Sequence, residues 1–411
     1  MTFKELKLHK PIVRALFEKG YETPTLVQER AIPIVLQKQD IIVSAQTGTG
    51  KTAAYVLPIL QLLFDKQDAP KKGKKIKALV VCPTRELAIQ IEENCKAYST
   101  YTNLRTGVIF GGASIEPQKD MLKKGIDILV ATPGRLLDLH KQDLVNLDYV
   151  ETLVLDEADL MLDMGFIDDV KKIERLCPAE KQILLFSATM PYKVELLANS
   201  ILKSPEYIEV SPTSSAAKGV QQVLYYVPKP KKIELCLHLL RNTIKGSVII
   251  FRRTKYGVDK LEKTLLRNNY KVASIHGDKS QSMRQQALNE FKNGEARIFI
   301  ATDVAARGID IKNVDTVVNF DIPNVAETYV HRIGRTARAG ASGMALSFCS
   351  ADEKKYIKDI QQLINSTIAV EEEHSYPLDP KAKPEVHKKK GSKHKKGRKS
   401  AASKKKKKRW Y

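Results

Sequence analysis

Cysteine is sparse and unpatterned in this chain. Cys82, Cys95, Cys177, Cys236 and Cys349 are odd in number and scattered, with no C-x-x-C spacing. That argues against a disulfide framework and against a structural zinc site. Tryptophan occurs once, at Trp410. Long hydrophobic runs are missing as well. The most apolar stretch, 53–64, is interrupted by Pro58 and Gln61 and falls well short of the roughly 20 residues that a membrane span requires. The first residues, Met1-Thr2-Phe3-Lys4-Glu5, contain no apolar core of a secretory signal. The expected location is the cytoplasm.

Negative charge is also in deficit, and unevenly so. The 411 residues carry a formal net charge of +22. Residues 381–411 hold 16 Lys/Arg against the single acid Glu385, leaving only +7 for residues 1–380. A mildly basic body with a strongly basic tail points to a polyanionic partner, nucleic acid first. The length suits two or three domains with a large buried core.

One stretch organises the rest. Ala45-Gln46-Thr47-Gly48-Thr49-Gly50-Lys51-Thr52 follows the apolar run 41–44 and precedes the largely apolar segment 53–64. A strand, a glycine-containing loop and a helix in that order allow backbone N–H groups and a helix N-terminus to cradle phosphates. Lys51 can reach the β- and γ-phosphates, and the Thr52 hydroxyl can ligate Mg²⁺. The first glycine of the usual pattern is Ala45 here. The plainer alternative, a Gly/Thr-rich turn before a core helix, is the lesser reading of the stretch taken alone.

Upstream, residues 6–19 show a helical apolar stripe (Ile12, Val13, Leu16, Phe17) ended by Gly20. Pro24 then reads as a helix entry. Gln28 has an amide that can offer a donor and an acceptor to an adenine edge, although by itself it reads as an ordinary surface glutamine. Downstream, apolar runs recur at 78–81, 128–130, 153–155 and 183–186, with helical segments between them. This alternation predicts a parallel sheet with helices on both faces. Ligands in such sheets bind at the carboxyl ends of the strands. Each run ends in a polar cluster, namely Pro83-Thr84-Arg85-Glu86-Leu87, Thr132-Pro133-Gly134-Arg135, Asp156-Glu157-Ala158-Asp159 and Ser187-Ala188-Thr189. One edge of one sheet should carry them all. Asp156 stands where a Mg²⁺-holding acid belongs beside a phosphate loop, and Glu157 is placed to act as general base. The plainer alternative is a pair of acids at a helix N-terminus.

The stretch 204–219 reads as a final strand around 207–210 followed by a linker. A second alternating series follows, with strands predicted at 223–227, 248–251, 272–275, 298–301, 317–320 and 345–348. It has no phosphate loop. It does contain Thr302-Asp303-Val304-Ala305-Ala306-Arg307-Gly308-Ile309-Asp310 and His331-Arg332-Ile333-Gly334-Arg335-Thr336-Ala337-Arg338. The three arginines and the histidine of the second block form a cationic patch. It is either a solvated or RNA-facing surface, or a source of arginine fingers for a nucleotide in the neighbouring domain.

Together these motifs resemble the DEAD-box family of ATP-dependent RNA helicases, superfamily 2, over residues 3–370. Asp156-Glu157-Ala158-Asp159 spells the family's name, Phe3 with Gly20-Tyr21-x-x-Pro24-Thr25-x-x-Gln28 is similar to its adenine-sensing motif, and Ala45 is the family's own variant of the phosphate loop. The segment 161–166 (Met-Leu-Asp-Met-Gly-Phe), the compact body and the basic tail look like the bacterial RhlE type. The resemblance implies an α/β fold of two tandem RecA-like domains, 1–212 and 213–370, and a disordered Lys-rich tail, 371–411. ATP would lie between the domains and RNA across them.

By the same resemblance, Phe3, Tyr21 and Gln28 would contact adenine. The loop Ala45, Gln46, Thr47, Gly48, Thr49, Gly50, Lys51 and Thr52 would hold the phosphates, with Thr52 and Asp156 on Mg²⁺. Glu157 would activate water, Asp310 would contact the ribose, and Arg335 and Arg338 would reach the γ-phosphate. Ser187 and Thr189, with His331 and Arg332, would couple nucleotide state to RNA binding. RNA contacts would come from Pro83, Thr84, Arg85, Gly112, Thr132, Gly134 and Arg135 in the first domain, and from Arg252, Gly277, Thr302, Arg307 and Gly308 in the second. Such groups grip sugar and phosphate rather than reading bases. The expected activity is RNA-stimulated ATP hydrolysis with local unwinding of short duplexes, in ribosome assembly or RNA decay. An ATP-gated RNA clamp is the competing reading, and a passive chaperone acting through the tail would leave the ATP motifs unexplained. The tail itself is too poor in apolar residues to fold alone, and reads as an RNA tether or as a solubilising appendage.

Overall fold

A computed structural model describes residues 1–46, 48–65, 75–210, 219–306, 309, 311, 314–336, 343–379 and 382. Two seven-stranded sheets, parallel throughout, stand among these residues. The first comprises β1 (Ile41–Ala45), β2 (Ala78–Val81), β3 (Thr106–Ile109), β4 (Ile128–Ala131), β5 (Thr152–Leu155), β6 (Gln182–Ser187) and β7 (Glu206–Val210), in the spatial order 3-4-2-5-6-1-7. The second comprises β8 (Val220–Tyr226), β9 (Val248–Arg252), β10 (Val272–Ile275), β11 (Ile298–Thr302), β12 (Thr316–Asn319), β13 (Gly343–Cys349) and β14 (Ala369–Val370), in the order 10-11-9-12-13-8-14. Subtracting seven from each label of the second sheet reproduces the first. The two units therefore share one topology although only the first has a phosphate loop.

The strands form where they do because both faces of each sheet are covered. Along β1, Ile41, Val43 and Ala45 enter the core shared with helices Lys10–Glu18, Leu26–Leu36, Lys51–Phe64 and Arg85–Tyr98. Ile42 enters the opposite core, with helices Pro133–Lys141, Ile167–Leu176 and Tyr192–Ile201. The same alternation holds for β2, β4 and β5, so their sequences read as unbroken apolar runs. In the second unit Val248 and Ile250 face one core while Ile249 and Phe251 face the other. Among the described residues, no helix is long and apolar enough to cross a membrane.

The six predicted strand runs of each unit all appear, 78–81 and 272–275 unchanged and the others lengthened or shifted by one to three residues. β3 and β14 were not predicted. The strip 371–379, placed with the tail by sequence, instead continues along the second unit. Glu371 N–H donates to Leu224 O, Leu378 N–H donates to Tyr226 O, and His374 stacks edge-on against Tyr225 with 5.4 Å between ring centroids. Its aromatic residues supply the apolar area that the lysine-rich remainder lacks. The expected disorder of residues 383–411 lies outside the described residues.

Parallel strands put every carboxyl end on one edge. The two carboxyl edges face each other, and they meet in side-chain contacts. Glu86 Oε1 accepts from Gln281 Nε2 at 3.2 Å and pairs with Arg284 Nε at 3.0 Å.

Candidate active site and nucleic-acid interface

A cavity of about 360 Å³ lies where β1 and β5 end. The first unit contributes Tyr21, Thr25, Gln28, Gly48, Gly50, Lys51, Thr52, Asp156 and Glu157, and the second contributes Lys292, Ile309 and Arg335. The loop after β1 turns through left-handed conformations at Gly48 (φ 84) and Gly50 (φ 91). A β-carbon at Gly50 would collide with the Gln28 amide, so only glycine fits there. Gly50 then opens the helix Lys51–Phe64, whose free N–H groups and dipole favour an anion. Lys51 is 6 % exposed, and its Nζ donates to Ala45 O at 2.8 Å and stands 3.2 Å from Glu157 Oε1. Burial would lower this ammonium's pKa, but Glu157, Asp156 and Asp159 outweigh it, and the pKa is raised.

Asp156 follows β5 directly. Its Oδ1 accepts from Glu157 N–H at 2.9 Å and its Oδ2 accepts from Tyr55 OH at 2.9 Å. Burial and the neighbouring Glu157 charge raise its pKa to about 6 against the opposing pull of Lys51. Glu157 has a left-handed backbone, φ 53 and ψ 54, uncommon for a residue with a side chain. That turn ends the strand and starts the helix Ala158–Asp163. A strained residue with two acids at a strand end is the arrangement expected of a reacting centre.

The adenine-side expectation is only partly met. Tyr21 and Gln28 line the cavity. Gln28 is wholly buried, and its amide is committed: Oε1 accepts from Thr25 N–H at 3.0 Å and Nε2 donates to Gly50 O at 3.2 Å. Gln28 thus ties its own helix start to the phosphate loop. Phe3 does not line the cavity. It sits 4 % exposed in the hydrophobic core with Leu6 and Leu8, because a large apolar ring gains more from that core than from a polar cavity rim. Thr47, Arg307, Gly308, Asp310 and Arg338 lie outside the described residues.

Ser187 and Thr189 close on Asp159. Asp159 N–H donates to Ser187 Oγ at 3.1 Å, and Thr189 donates to Asp159 Oδ2 from N–H at 3.0 Å and from Oγ1 at 2.8 Å. Burial acts to raise the Asp159 pKa, yet His331 of the second unit, Lys51 and the Thr189 and Ser187 hydrogen bonds hold it below the ordinary carboxylate value. The acid cluster and the Ser187–Thr189 turn are therefore one network, touched from across the domain gap.

Arg332 requires a correction. The sequence grouped it with a cationic patch, but it is 2 % exposed and fully engaged. Its Nε and Nη2 donate to Asp303 Oδ1 and Oδ2 at 2.6 and 2.8 Å, and its Nη1 donates to Asn319 Oδ1 at 3.1 Å and Asp321 O at 2.7 Å. Arg332 fastens the helix Ala326–Ile333 to the ends of β11 and β12. Arg335, 7 % exposed, donates from Nη1 to Ile309 O at 2.6 Å and lines the phosphate-loop cavity.

A wider cleft of about 510 Å³ runs along the same edges. It is lined by Pro83, Thr84, Arg85, Thr132, Gly134 and Arg135 from the first unit and Gly277 from the second, as expected, and also by Glu86, Arg284 and Val304. Helices Arg85–Tyr98 and Pro133–Lys141 both begin here, presenting N-terminal N–H groups suited to phosphate. Gly112 (φ 71) lies against the Arg85 guanidinium, where a β-carbon would clash. Arg252 does not line the cleft. It pairs with Asp321 at 2.8 Å and covers the Phe320 ring at 4.0 Å, so a carboxylate just past the end of the neighbouring strand β12 has claimed it. Thr302 ends β11 without lining the cleft. Sequence reasoning missed Glu86, Gln281 and Arg284, whose meeting across 195 residues has no local signal.

Comparison with known proteins agrees with this geometry. Residues 25–197 match the DEAD/DEAH box helicase model, and residues 231–340 match the helicase conserved C-terminal domain. The DEAD-box ATP-dependent RNA helicase RhpA of Helicobacter pylori is 41 % identical over 367 residues, covering 89 % of this chain and 73 % of RhpA. CshA of Geobacillus kaustophilus, another DEAD-box ATP-dependent RNA helicase, is 43 % identical over 361 residues, 88 % of this chain and 76 % of CshA. The structure of S. cerevisiae Dbp5 bound to RNA and ADP BeF3 superposes with a TM-score of 0.80 at 30 % identity, covering 90 % of this chain and 95 % of Dbp5. The chain belongs to the DEAD-box ATP-dependent RNA helicases. It is an RNA helicase and ATPase, and its two sheets are tandem RecA-like domains. Relatives named RhpA and CshA do not single out the RhlE type.

Proposed function

We propose that the chain couples RNA-stimulated ATP hydrolysis to local, non-processive opening of short RNA duplexes or remodelling of RNA–protein complexes. The observation that carries this reading is a shared cavity: Arg335 of the second domain lines the same space as Lys51, Asp156 and Glu157 of the first. The reacting centre is then complete only when the domains are together. A glycine-turned loop beside a buried ammonium suits a polyphosphate. The carboxylate of Asp156 and the hydroxyl of Thr52 are oxygen donors of the kind that would hold Mg²⁺. When bound, Mg²⁺ would neutralise charge on the phosphoryl oxygens.

In this reading Lys51 and the loop N–H groups hold the phosphates, and Glu157 accepts a proton from the attacking water. The water oxygen joins the γ-phosphorus as the bond to the ADP oxygen breaks, and Arg335 stabilises the charge that develops. Arg338, Asp310, Arg307 and Gly308 complete the proposal by family likeness alone. RNA lies in the 510 Å³ cleft, held by backbone N–H groups, hydroxyls and arginines with little base preference. Closure fixes one strand in a shape that a duplex cannot follow. We assign the ATP-side domain to 1–212 and the second to 213–379, with a basic tail to 411 as an RNA tether. Cytoplasmic work on ribosomal precursors or decaying RNA, of the RhlE kind, suits this chemistry.

The test is release of a short labelled RNA strand from a duplex with ATP and with a non-hydrolysable analogue. Repeated release should need ATP. Equal multiple-turnover release with the analogue would replace the helicase reading with that of an ATP-gated clamp.

A further inference from the structure

Among the described residues, a second cavity besides the one that holds the phosphate loop also reaches Glu157. This second cavity, about 330 Å³, lies between the domains and shares Glu157 and Arg335 with the first. The two spaces meet at those two residues. The second runs outward from a buried inner wall, where Asp159 is 6 % and Leu160 4 % exposed, to an outer wall at Leu363 and Val325, the latter 54 % exposed.

We infer that this second cavity is the route by which the attacking water reaches Glu157 and by which its proton leaves. The inference rests on the reading of Glu157 as general base. Each turnover consumes one water: its oxygen is bonded to phosphorus in the inorganic phosphate, and one proton passes to Glu157 and must then reach solvent. A nucleotide seated on the phosphate loop and Lys51 would fill the first cavity and stand between Glu157 and the opening of that cavity. The second cavity also touches Glu157, through a lining otherwise shared only at Arg335, and has room for several waters.

Its charge selects what can use it. Glu157, Asp159, Asp163 and Glu327 line it, against Arg335 and His331. Hydrogen bonds from Thr189 and the charge of the facing His331 help keep Asp159 ionised despite its burial. An excess of carboxylates suits water and a departing proton, and opposes a phosphate dianion in a space of low dielectric. Water delivery is therefore favoured over product exit.

The experiment narrows the outer wall with Leu363→Trp and, separately, Val325→Trp, neither of which touches the reacting atoms. Single-turnover ATP cleavage is followed by chemical quench, and free phosphate by a fluorescent phosphate-binding sensor, on the full chain with saturating RNA. Cleavage should fall by at least about tenfold, with phosphate release falling in step. Affinities for RNA and for a non-hydrolysable nucleotide should stay within about twofold, and retention of RNA with ADP and beryllium fluoride should show that the domains still close. Val325→Ala, which widens the mouth, should cleave at the wild-type rate. Unchanged cleavage in both tryptophan variants would overturn the proposal. So would normal cleavage with slowed phosphate release, which would make the cavity the product exit. Glu157→Gln separates the two levels: rapid turnover in that variant would defeat the general-base reading itself, whatever the tryptophan variants do.

Discussion

Arg332→Met removes a guanidinium from inside the second domain while keeping most of its apolar stem. The loss strands Asp303, which had two hydrogen bonds of 2.6 and 2.8 Å, together with Asn319 Oδ1 and Asp321 O. Breaking a buried charge pair on one side costs about 3–5 kcal/mol. The Asp303 side chain is 26 % exposed, so water repays part of that cost and the lower figure, about 3 kcal/mol, is the better expectation. For a domain of this size that lowers the midpoint of unfolding by roughly 6–12 °C. Calorimetry of the full chain should show the transition of the second domain moving down while that of the first, and its nucleotide affinity, stay in place. Asp303→Asn combined with Arg332→Met should recover part of the loss, because the stranded charge is gone. A midpoint shift below about 1 °C, with RNA-stimulated hydrolysis abolished, would refute the reasoning and return Arg332 to the role of an accessible functional cation.

Three further outcomes follow from the geometry. Glu86→Ala leaves Arg284, 12 % exposed in its side chain, without its carboxylate. RNA affinity in the presence of a non-hydrolysable nucleotide should fall by about 10–100-fold, and an unchanged affinity would show that the Glu86 contact does not hold the domains together. Asp156 has a folded pKa of about 6 against an ordinary 3.8, so its protonated form is favoured by folding. Its contribution to stability is present at low pH and is lost as pH rises through about 6, to a limit on the order of 3 kcal/mol. The wild-type protein without nucleotide should therefore lose more stability between pH 5 and pH 7.5 than Asp156→Asn, and equal pH slopes in denaturant titrations would contradict the assignment. Deleting 381–411 should weaken RNA binding and flatten its salt dependence, by about 0.7 in log–log slope for each phosphate no longer neutralised. The hydrolysis rate at saturating RNA should be unchanged, and parallel salt plots of equal affinity would exclude the tether.

The core strands were legible because burial on both faces leaves no polar alternation. Ala78–Val81 and Thr152–Leu155 are buried at every position. β3 was not legible, because Thr106 and Val108 are only half-buried on a four-residue edge strand, a pattern that a loop can also show. β14 spans two residues, both exposed. The phosphate loop and the acids after β5 could be found from sequence because their chemistry is contiguous. Arg332 was misjudged because its partner Asp303 lies 29 residues away, and the fold alone brings them together. Phe3 was misplaced for the same reason: a motif position does not say whether a ring lies over a ligand or inside a core. The contact between Glu86 and Arg284 belongs to neither domain alone.

The central claim is that one reacting centre is assembled from both domains. Phosphate release by Arg335→Ala at saturating ATP and RNA, measured beside its affinity for ATP without RNA, tests this most directly. The interdomain arrangement predicts a loss on the order of 10³-fold or more in the RNA-stimulated rate, with ATP affinity changed only a few-fold because the phosphate loop is intact. A rate near that of the wild type would contradict it, and would mean that the first domain hydrolyses ATP without the second.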